Sequence, residues 1–521
     1  MTPSTAADAA TAEQPRAGVR EWIGLAVLAL PCLIYAMDLT VLYLAVPQIT
    51  AQLKPSASEL LWIVDIYGFM VAGFLMVMGT LGDRIGRRRL LLIGAAAFGL
   101  SSAVAAFATS PVMLIIARAV QGIAGATLAP STLALITNMF RNDRERTFAI
   151  GVWLASFSGG ATLGPMFGGL LLEYFWWGSV LLINAPLMLL LLILAPLLLP
   201  EYRAPSAGRI DLISAVQSLA AVLLVMFGLK RIAEQGVSEI AFVSIALGLL
   251  IGWMFASRQR RLDDPLIDFS ILRMPGVGAA LTVNVLGLFT VLGTFFFIAQ
   301  YLQLVRGMGP LEAGLWTAPS GVVFAIGSML TPRLLQKFRA ETVILAGLII
   351  AALGYALLAT VTAGDSPSLA FIAMLIFCAG LAPLGTTTTD YVMARAPPER
   401  AGATSAISET SFEFGGAAGI AIFGSLLTAV YSSEMLRAVA ALSLDAAARE
   451  TATHTLGGAL DIAKHMTGAQ AETLANAARA AFVKGMSVTA ILATITTLGA
   501  AAFAFVAFGP GKKAAPDADR R

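Results

Sequence analysis

Stretches of about twenty apolar residues, nearly free of charge, recur from one end of this chain to the other. That length carries an α-helix across the hydrocarbon core of a bilayer. Fourteen such segments are predicted: 22–49, 60–81, 89–108, 111–138, 147–172, 178–199, 210–229, 238–256, 276–304, 311–334, 341–362, 368–393, 404–432 and 485–508. Composition agrees. Of the residues, 58% are hydrophobic and 12% charged, against roughly a quarter charged in a soluble domain. Lipid offers backbone N–H and C=O groups no partners, so the segments must be helices that satisfy their own hydrogen bonds. The expected fold class is an all-α polytopic membrane protein.

Basic residues set its orientation. Connections after even-numbered segments hold Arg84, Arg87, Arg88, Arg89, Arg141, Arg144, Arg146, Arg203, Arg209, Arg258, Arg260, Arg261, Arg273, Arg333, Lys337, Arg339, Arg395 and Arg400. The short odd-numbered connections hold only Lys54, Lys230, Arg231 and Arg306. Eighteen against four is a strong positive-inside bias and places both termini in the cytoplasm. The first twenty residues read as a polar, disordered tail without the apolar core and cleavage site of a signal peptide; residues 509–521 read as a second cytoplasmic tail. Residues 433–484 break the pattern of short connections. They are Ala-rich, with helical stretches expected at 436–449 and 467–482, and form either a helical cap over the outer opening or a passive hairpin.

Several functions find no support. Cys32 and Cys378 both lie in apolar runs and read as small buried hydrophobes, while His454 and His465 sit in one polar stretch with no cysteine beside them, so no metal site is expected. A net charge of +3 spread over short loops does not make a nucleic-acid face. No G-x-x-x-x-G-K-[ST] phosphate loop is present, which argues against an ATP-driven pump. No catalytic cluster and no cofactor are expected.

Several motifs give the chain an identity. The connection after segment two reads Gly79-Thr80-Leu81-Gly82-Asp83-Arg84-Ile85-Gly86-Arg87-Arg88-Arg89. Its glycines permit a tight turn, and Asp83 can engage an arginine and a helix N-terminus. Segment five carries Gly160, Gly164, Pro165, Gly168 and Gly169, which allow close helix approach and a bend. Segment four holds Arg118-Ala119-Val120-Gln121-Gly122-Ile123-Ala124-Gly125, where an arginine inside an apolar run requires a partner or a wet cavity. Segments one and two contain Met37-Asp38-Leu39-Thr40 and Leu61-Trp62-Ile63-Val64-Asp65-Ile66-Tyr67, and Leu182-Ile183-Asn184-Ala185-Pro186 opens segment six.

The loop between segments two and three resembles the signature loop of the major facilitator superfamily, and the Gly-Pro motif resembles that of its antiporters. Across nearly the whole chain the sequence is similar to the fourteen-span drug:proton antiporters, in particular their QacA-like and SmvA-like quaternary-ammonium efflux branch. The resemblance implies a 6 + 2 + 6 arrangement: a bundle at 21–200, two inserted helices within 201–261, and a second bundle at 262–508. Inverted repeats would surround a midplane cavity, although the C-terminal counterpart of the signature loop, near Thr331 to Glu341, is degenerate. It also implies a monomer in a bacterial inner membrane that exports lipophilic cations in exchange for protons, with no cofactor beyond the proton gradient. A proton-coupled transporter of a dedicated metabolite is the alternative on the same fold.

The chemistry must rest on charges inside apolar segments. Asp38, Asp65, Glu409 and Glu413 are the candidates for proton coupling and cation binding, with Arg118 as their basic neighbour. Glu409 and Glu413, at i and i+4, share one helix face. A carboxyl group in a low-dielectric surrounding holds its proton more tightly, and an arriving cation favours the ionised form, so proton and cation compete. The plainer reading of each acid is a structural ion pair, for instance with Arg118. By resemblance, Asp38, Asp65 and Glu409 match acidic positions used in cation recognition or protonation, and Glu413 matches a further one; the tenth segment, Trp316 to Ser328, has no acid. Tyr35, Trp62, Tyr67, Phe157, Phe295, Phe296, Phe297 and Tyr301 are candidates for lining the cavity and holding cations by their faces.

Overall fold

The computed structural model describes residues 16–203, 211–262, 265, 274, 276–393, 401–440, 442 and 444–508. The tails 1–15 and 509–521, and Arg209, Arg273, Arg395 and Arg400, lie outside the described residues, and of the side chain of Arg144 nothing is said. Among the described residues the chain is helical throughout and has no strand.

Eight helices form the first group: α1 (Val19–Leu53), α2 (Ala57–Ile85), α3 (Arg87–Ala106), α4 (Pro111–Gly125), α5 (Leu128–Met139), α6 (Asp143–Tyr174), α7 (Ser179–Leu182) and α8 (Asn184–Leu198). The inserted pair follows as α9 (Leu212–Gln235) and α10 (Glu239–Gln259). The second group holds α11 (Val277–Gln300), running into a π-helical turn at Tyr301–Val305, then α12 (Pro310–Lys337), α13 (Ala340–Ala359), α14 (Pro367–Met393) and α15 (Ala401–Val439). Two short helices, α16 (Ala446–His454) and α17 (Leu456–His465), lead into α18 (Ala469–Phe508). By length and composition, thirteen helices or helix pairs among the described residues are fit to cross a membrane. The helix at the fifth expected segment, α6, is not one of those thirteen, yet it is 32 residues long and packs lengthwise on α1 and α12.

Two expected spans are broken. The segment predicted at 111–138 splits into α4 and α5 because Pro130 lacks an N–H and its ring crowds the carbonyl of residue 126. The segment at 178–199 splits at Ile183 for the same reason, the Pro186 ring crowding the carbonyl of Leu182 four residues before it.

The signature loop ends α2 and starts α3 at one residue, Gly86, whose φ of +113° suits a glycine. Asp83 pairs with Arg87 at 2.6 Å. The helix N-terminus expected to attract Asp83 is served by Glu201, which accepts the Arg88 backbone N–H at 3.0 Å. Arg84 is exposed.

The 433–484 stretch also departs from expectation. Helix α15 runs on to Val439, and the chain then breaks and restarts where Asp445 caps α16, accepting the Ala448 N–H at 2.7 Å. The expected helix at 467–482 is the first part of α18, which is 40 residues long and extends about 60 Å. The short helices are anchored: Tyr431 donates to the Ala452 carbonyl at 3.0 Å, Ser432 to that of Thr453 at 2.8 Å, and Gly457 lies against Thr50 at the end of α1. They form a cap at the end of the bundle opposite the signature loop.

The two groups meet chiefly where α6 packs on α12, α2 on α15 and α1 on α11. Small residues permit the approach. Gly169 faces Pro310, Gly314 faces the Pro165 carbonyl, Gly321 faces Thr162, and Gly424 faces Leu61. These contacts lie between mid-helix and the capped end. The other glycines of the same motif, Gly160, Gly164 and Gly168, press α6 onto Leu33, Thr40 and Val41 of α1. A Cβ on Gly169 would stand 2.7 Å from the Pro310 carbonyl oxygen, so Gly169→Val should force α6 and α12 apart. Overpacking of this kind costs about 1–3 kcal/mol, and the melting temperature of the purified protein should fall by several degrees. An unchanged melting curve would show that this contact does not hold the groups together.

Candidate functional site

Asp38 lies about 28 Å along α1 from its start and has no exposed surface. A carboxylate so placed needs full pairing. Arg118 of α4 donates to Asp38 Oδ2, and Asn184 Nδ2 and Gln121 Nε2 donate to Oδ1 at 2.7 and 3.0 Å. Gln121 also accepts from Arg118 Nη1 at 2.9 Å and donates to Ser102 Oγ at 2.8 Å. Four helices thus supply the site: α1, α3, α4 and α8. Gln121 and Asn184 stand inside motifs that the sequence singles out, but no role follows from the motifs themselves; Ser102 carries no signal beyond being a hydroxyl in an apolar run. The break ahead of Pro186 leaves Asn184 at the start of α8.

The network extends through aromatic rings. The Arg118 guanidinium lies over the Tyr67 ring at 4.6 Å. Tyr67 and Phe157 flank Tyr35, with ring centroids 5.9 and 5.7 Å away. The Tyr35 hydroxyl donates to Glu413 Oε1 of α15. This bond joins the two helix groups at a buried position. Glu409 lies one turn earlier, about 6 Å along the same face, and is half-buried. Asp38, Arg118, Tyr67, Tyr35, Phe157 and Glu413 are therefore brought together.

Asp65 is not part of that set. Its carboxylate binds the Lys230 ammonium of α9, with Oδ1 at 2.9 Å and Oδ2 at 2.8 Å. Trp62 covers the same ammonium, its ring centroid 3.6 Å from Nζ. Lys230 and Arg231, assigned from sequence to a short connection, belong instead to the last turns of α9, and Lys230 is buried. A lysine at the end of an apolar run reads as a snorkelling flank; only the packing of α9 on α2 reverses that reading. Tyr301 lies apart too. It sits in the π-helical turn where Gln303 donates to the Leu44 carbonyl at 3.0 Å, six residues or about 9 Å beyond Asp38 along α1.

A polytopic helical bundle with buried charged groups at its core, its two helix groups joined there by Tyr35 and Glu413, is the architecture of a membrane transporter, not of an enzyme. The chain belongs to the Major Facilitator Superfamily, whose sequence profile matches residues 28–420. It is 39% identical over 498 residues to the multidrug efflux pump LfrA of Mycolicibacterium smegmatis, covering 96% of this chain and 98% of that one. With the methyl viologen resistance protein SmvA of Salmonella typhimurium it shares 35% identity over 90% of this chain and 94% of that protein. A solved structure of a bacterial homolog of the human lysosomal transporter Spinster, inward-facing and unoccupied, superposes with a TM-score of 0.66 at 19% identity, covering 94% of this chain and 97% of that one. That likeness concerns the fold.

Neutralising one member of a buried pair strands the other. Asp38→Asn should leave Arg118 uncompensated and cost about 3–5 kcal/mol, read as a drop in melting temperature. Asp38→Asn with Arg118→Gln should recover most of the loss. An Asp38→Asn variant that melts with the unaltered protein would show that the pair contributes no stability, and equal melting of the single and double variants would show that the stranded Arg118 is not the source of the loss.

Proposed function

We propose that this chain is a proton-coupled antiporter that exports lipophilic cations, quaternary ammonium compounds among them, across a bacterial inner membrane. The observation that carries the reading is the buried chain of groups from Asp38 and Arg118 through Tyr67 and Tyr35 to Glu413. The similar proteins named as a multidrug efflux pump and as a methyl viologen resistance protein support the substrate class, since methyl viologen is an organic dication.

In this mechanism proton and cation use the same carboxylates. Ionised Glu413 accepts a charge-assisted hydrogen bond from Tyr35, about twice as strong as a neutral one. Protonation weakens that tie between α15 and α1 and loosens one helix group from the other. The Asp38 carboxylate holds Arg118, Gln121 and Asn184, so a cation that competes for that charge acts on this network as well. A cation entering beside Glu409 and Glu413 favours their ionised forms and expels the proton. Two ionised carboxylates about 6 Å apart repel in a dry surrounding, so at least one stays protonated until a cation arrives. Differential binding of the two ligands to the two arrangements of the bundle is all that exchange requires.

The positive-inside bias puts the signature loop and both termini in the cytoplasm. The capped end then faces the periplasm, and the tight α6–α12 seam closes that side. The chain works as a monomer and needs no cofactor, because the proton gradient supplies the energy.

In proteoliposomes, a gradient that is acidic on the capped side should drive tetraphenylphosphonium toward that side, and a protonophore should abolish the movement. Transport that persists without a proton gradient and requires ATP would overturn the reading. Movement of a single metabolite with no response to organic cations would favour a dedicated transporter. Glu409→Gln should abolish or uncouple export, whereas Glu413→Gln should change affinity or substrate range. Unchanged proton release on cation binding in both variants and in their double would remove α15 from the proton path.

A further inference from the structure

Among the described residues Lys230 is the one buried lysine, 1% exposed and paired to an aspartate whose side chain has no exposed surface. An ammonium is strongly hydrated, so placing it here carries a large desolvation cost that the Asp65 carboxylate and the Trp62 face offset. Those two groups, one carboxylate and one indole face beside an apolar wall, are the elements that bind an organic cation. The wall is present: Phe69 and Met226 pack with Ala417, Ala418 and Ala421 of α15.

The position adds a second observation. Helix α9 contacts α2 of the first group and α15 of the second, so the Asp65–Lys230 pair lies at a seam of three helices. Gly68 and Leu61, on either side of Asp65 along α2, face Ala417 and Gly424 of α15. On the same helix Gly73 meets Leu219 of α9. Helix α10 packs on α9, and the pair is clasped at its far end, where Arg258 donates to Asp211 Oδ1 at 3.1 Å.

Building on the cation-export reading, we propose that Lys230 is a tethered stand-in for the transported cation: its ammonium occupies an Asp65–Trp62 site that a lipophilic monocation takes by displacing it. A monocation leaves the charge of the site unchanged, because one positive group replaces another beside one carboxylate. A quaternary ammonium or phosphonium ion loses less hydration on entering than the lysine ammonium does. Displacement frees α9 from α2 at the seam where the two helix groups meet, so occupancy of the site is tied to the inserted pair. Lys230 thereby sets a threshold. Only cations that outcompete it gain the site.

The test uses the full-length protein in nanodiscs with tetraphenylphosphonium as probe. In the unaltered protein, a neutral membrane-permeant amine reagent should modify Lys230 slowly, and saturating tetraphenylphosphonium should raise its modification severalfold, read by peptide mass spectrometry. Lys230→Met removes the competitor and should tighten tetraphenylphosphonium binding about tenfold or more, as expected when a blocked state holds most of the population. Adding Asp65→Asn to that variant should erase the gain. Wild-type binding with unchanged Lys230 modification would overturn the proposal, as would equal affinity of wild type and a folded Lys230→Met. Absence of tetraphenylphosphonium binding in every form would instead refute the export reading beneath it. Should Lys230→Met fail to fold, the modification of the unaltered protein decides alone.

Discussion

An ionised carboxylate moved from water into a bundle of apolar helices loses several kcal/mol of hydration even after the surroundings relax. Asp38 is in that position, and the first helix group is organised around the groups that compensate it. Arg118 supplies the opposite charge, Gln121 and Asn184 donate to Oδ1 of Asp38, and Ser102 accepts from Gln121 in turn. To deliver them, α4 must pack on α2 and α3 with its arginine reaching Asp38, and α8 must begin at the level of Asn184. On another side of α1, Gly160, Gly164 and Gly168 bring α6 into backbone contact at Leu33 to Val41. The helix that carries the acid is thus held by close packing on one side and by hydrogen bonds on another.

Between the two helix groups the forces differ. Lipid tails are as apolar as leucine, so no hydrophobic gain favours one helix pairing over another, and close packing of small residues takes that part. Gly169, Gly314, Gly321 and Gly424 supply it between mid-helix and the capped end. A packed seam has discrete arrangements and does not deform smoothly. A charge-assisted bond such as Tyr35 to Glu413 can therefore bias one arrangement over another, since it changes strength with a single proton. Rigid seams and one charge-assisted tie between the groups are what the proposed exchange would act on.

The inserted helices α9 and α10 are more than a linker. Through Lys230, α9 provides the counter-charge of Asp65, and through Met226 it joins the apolar cluster between α2 and α15. Much of α10 presents large apolar side chains such as Phe242, Leu249 and Trp253 outward, which suits contact with lipid. One inserted helix is thus built into the bundle and the other shields it.

Much of this was legible in the residues. Long apolar runs dictate membrane helices because backbone groups find no partners in lipid, and the loop from Gly79 to Arg89 together with the Gly-Pro motif pointed to the family that the profile match then established. Asp38 and Arg118 stood out for the same reason, since charges in apolar runs demand partners. Which partner each receives was not legible. Asp65 carries nothing in its neighbourhood to announce Lys230, 165 residues away, and Lys230 reads as an interfacial flank until α9 is packed against α2. Glu201 replaces Asp83 at the start of α3, and the last helix absorbs a stretch that composition assigned to a loop. Hydropathy and spacing are local properties that a segment keeps wherever it goes. Pairing depends on which helix faces meet, and that is decided only when the whole bundle closes around its buried charges.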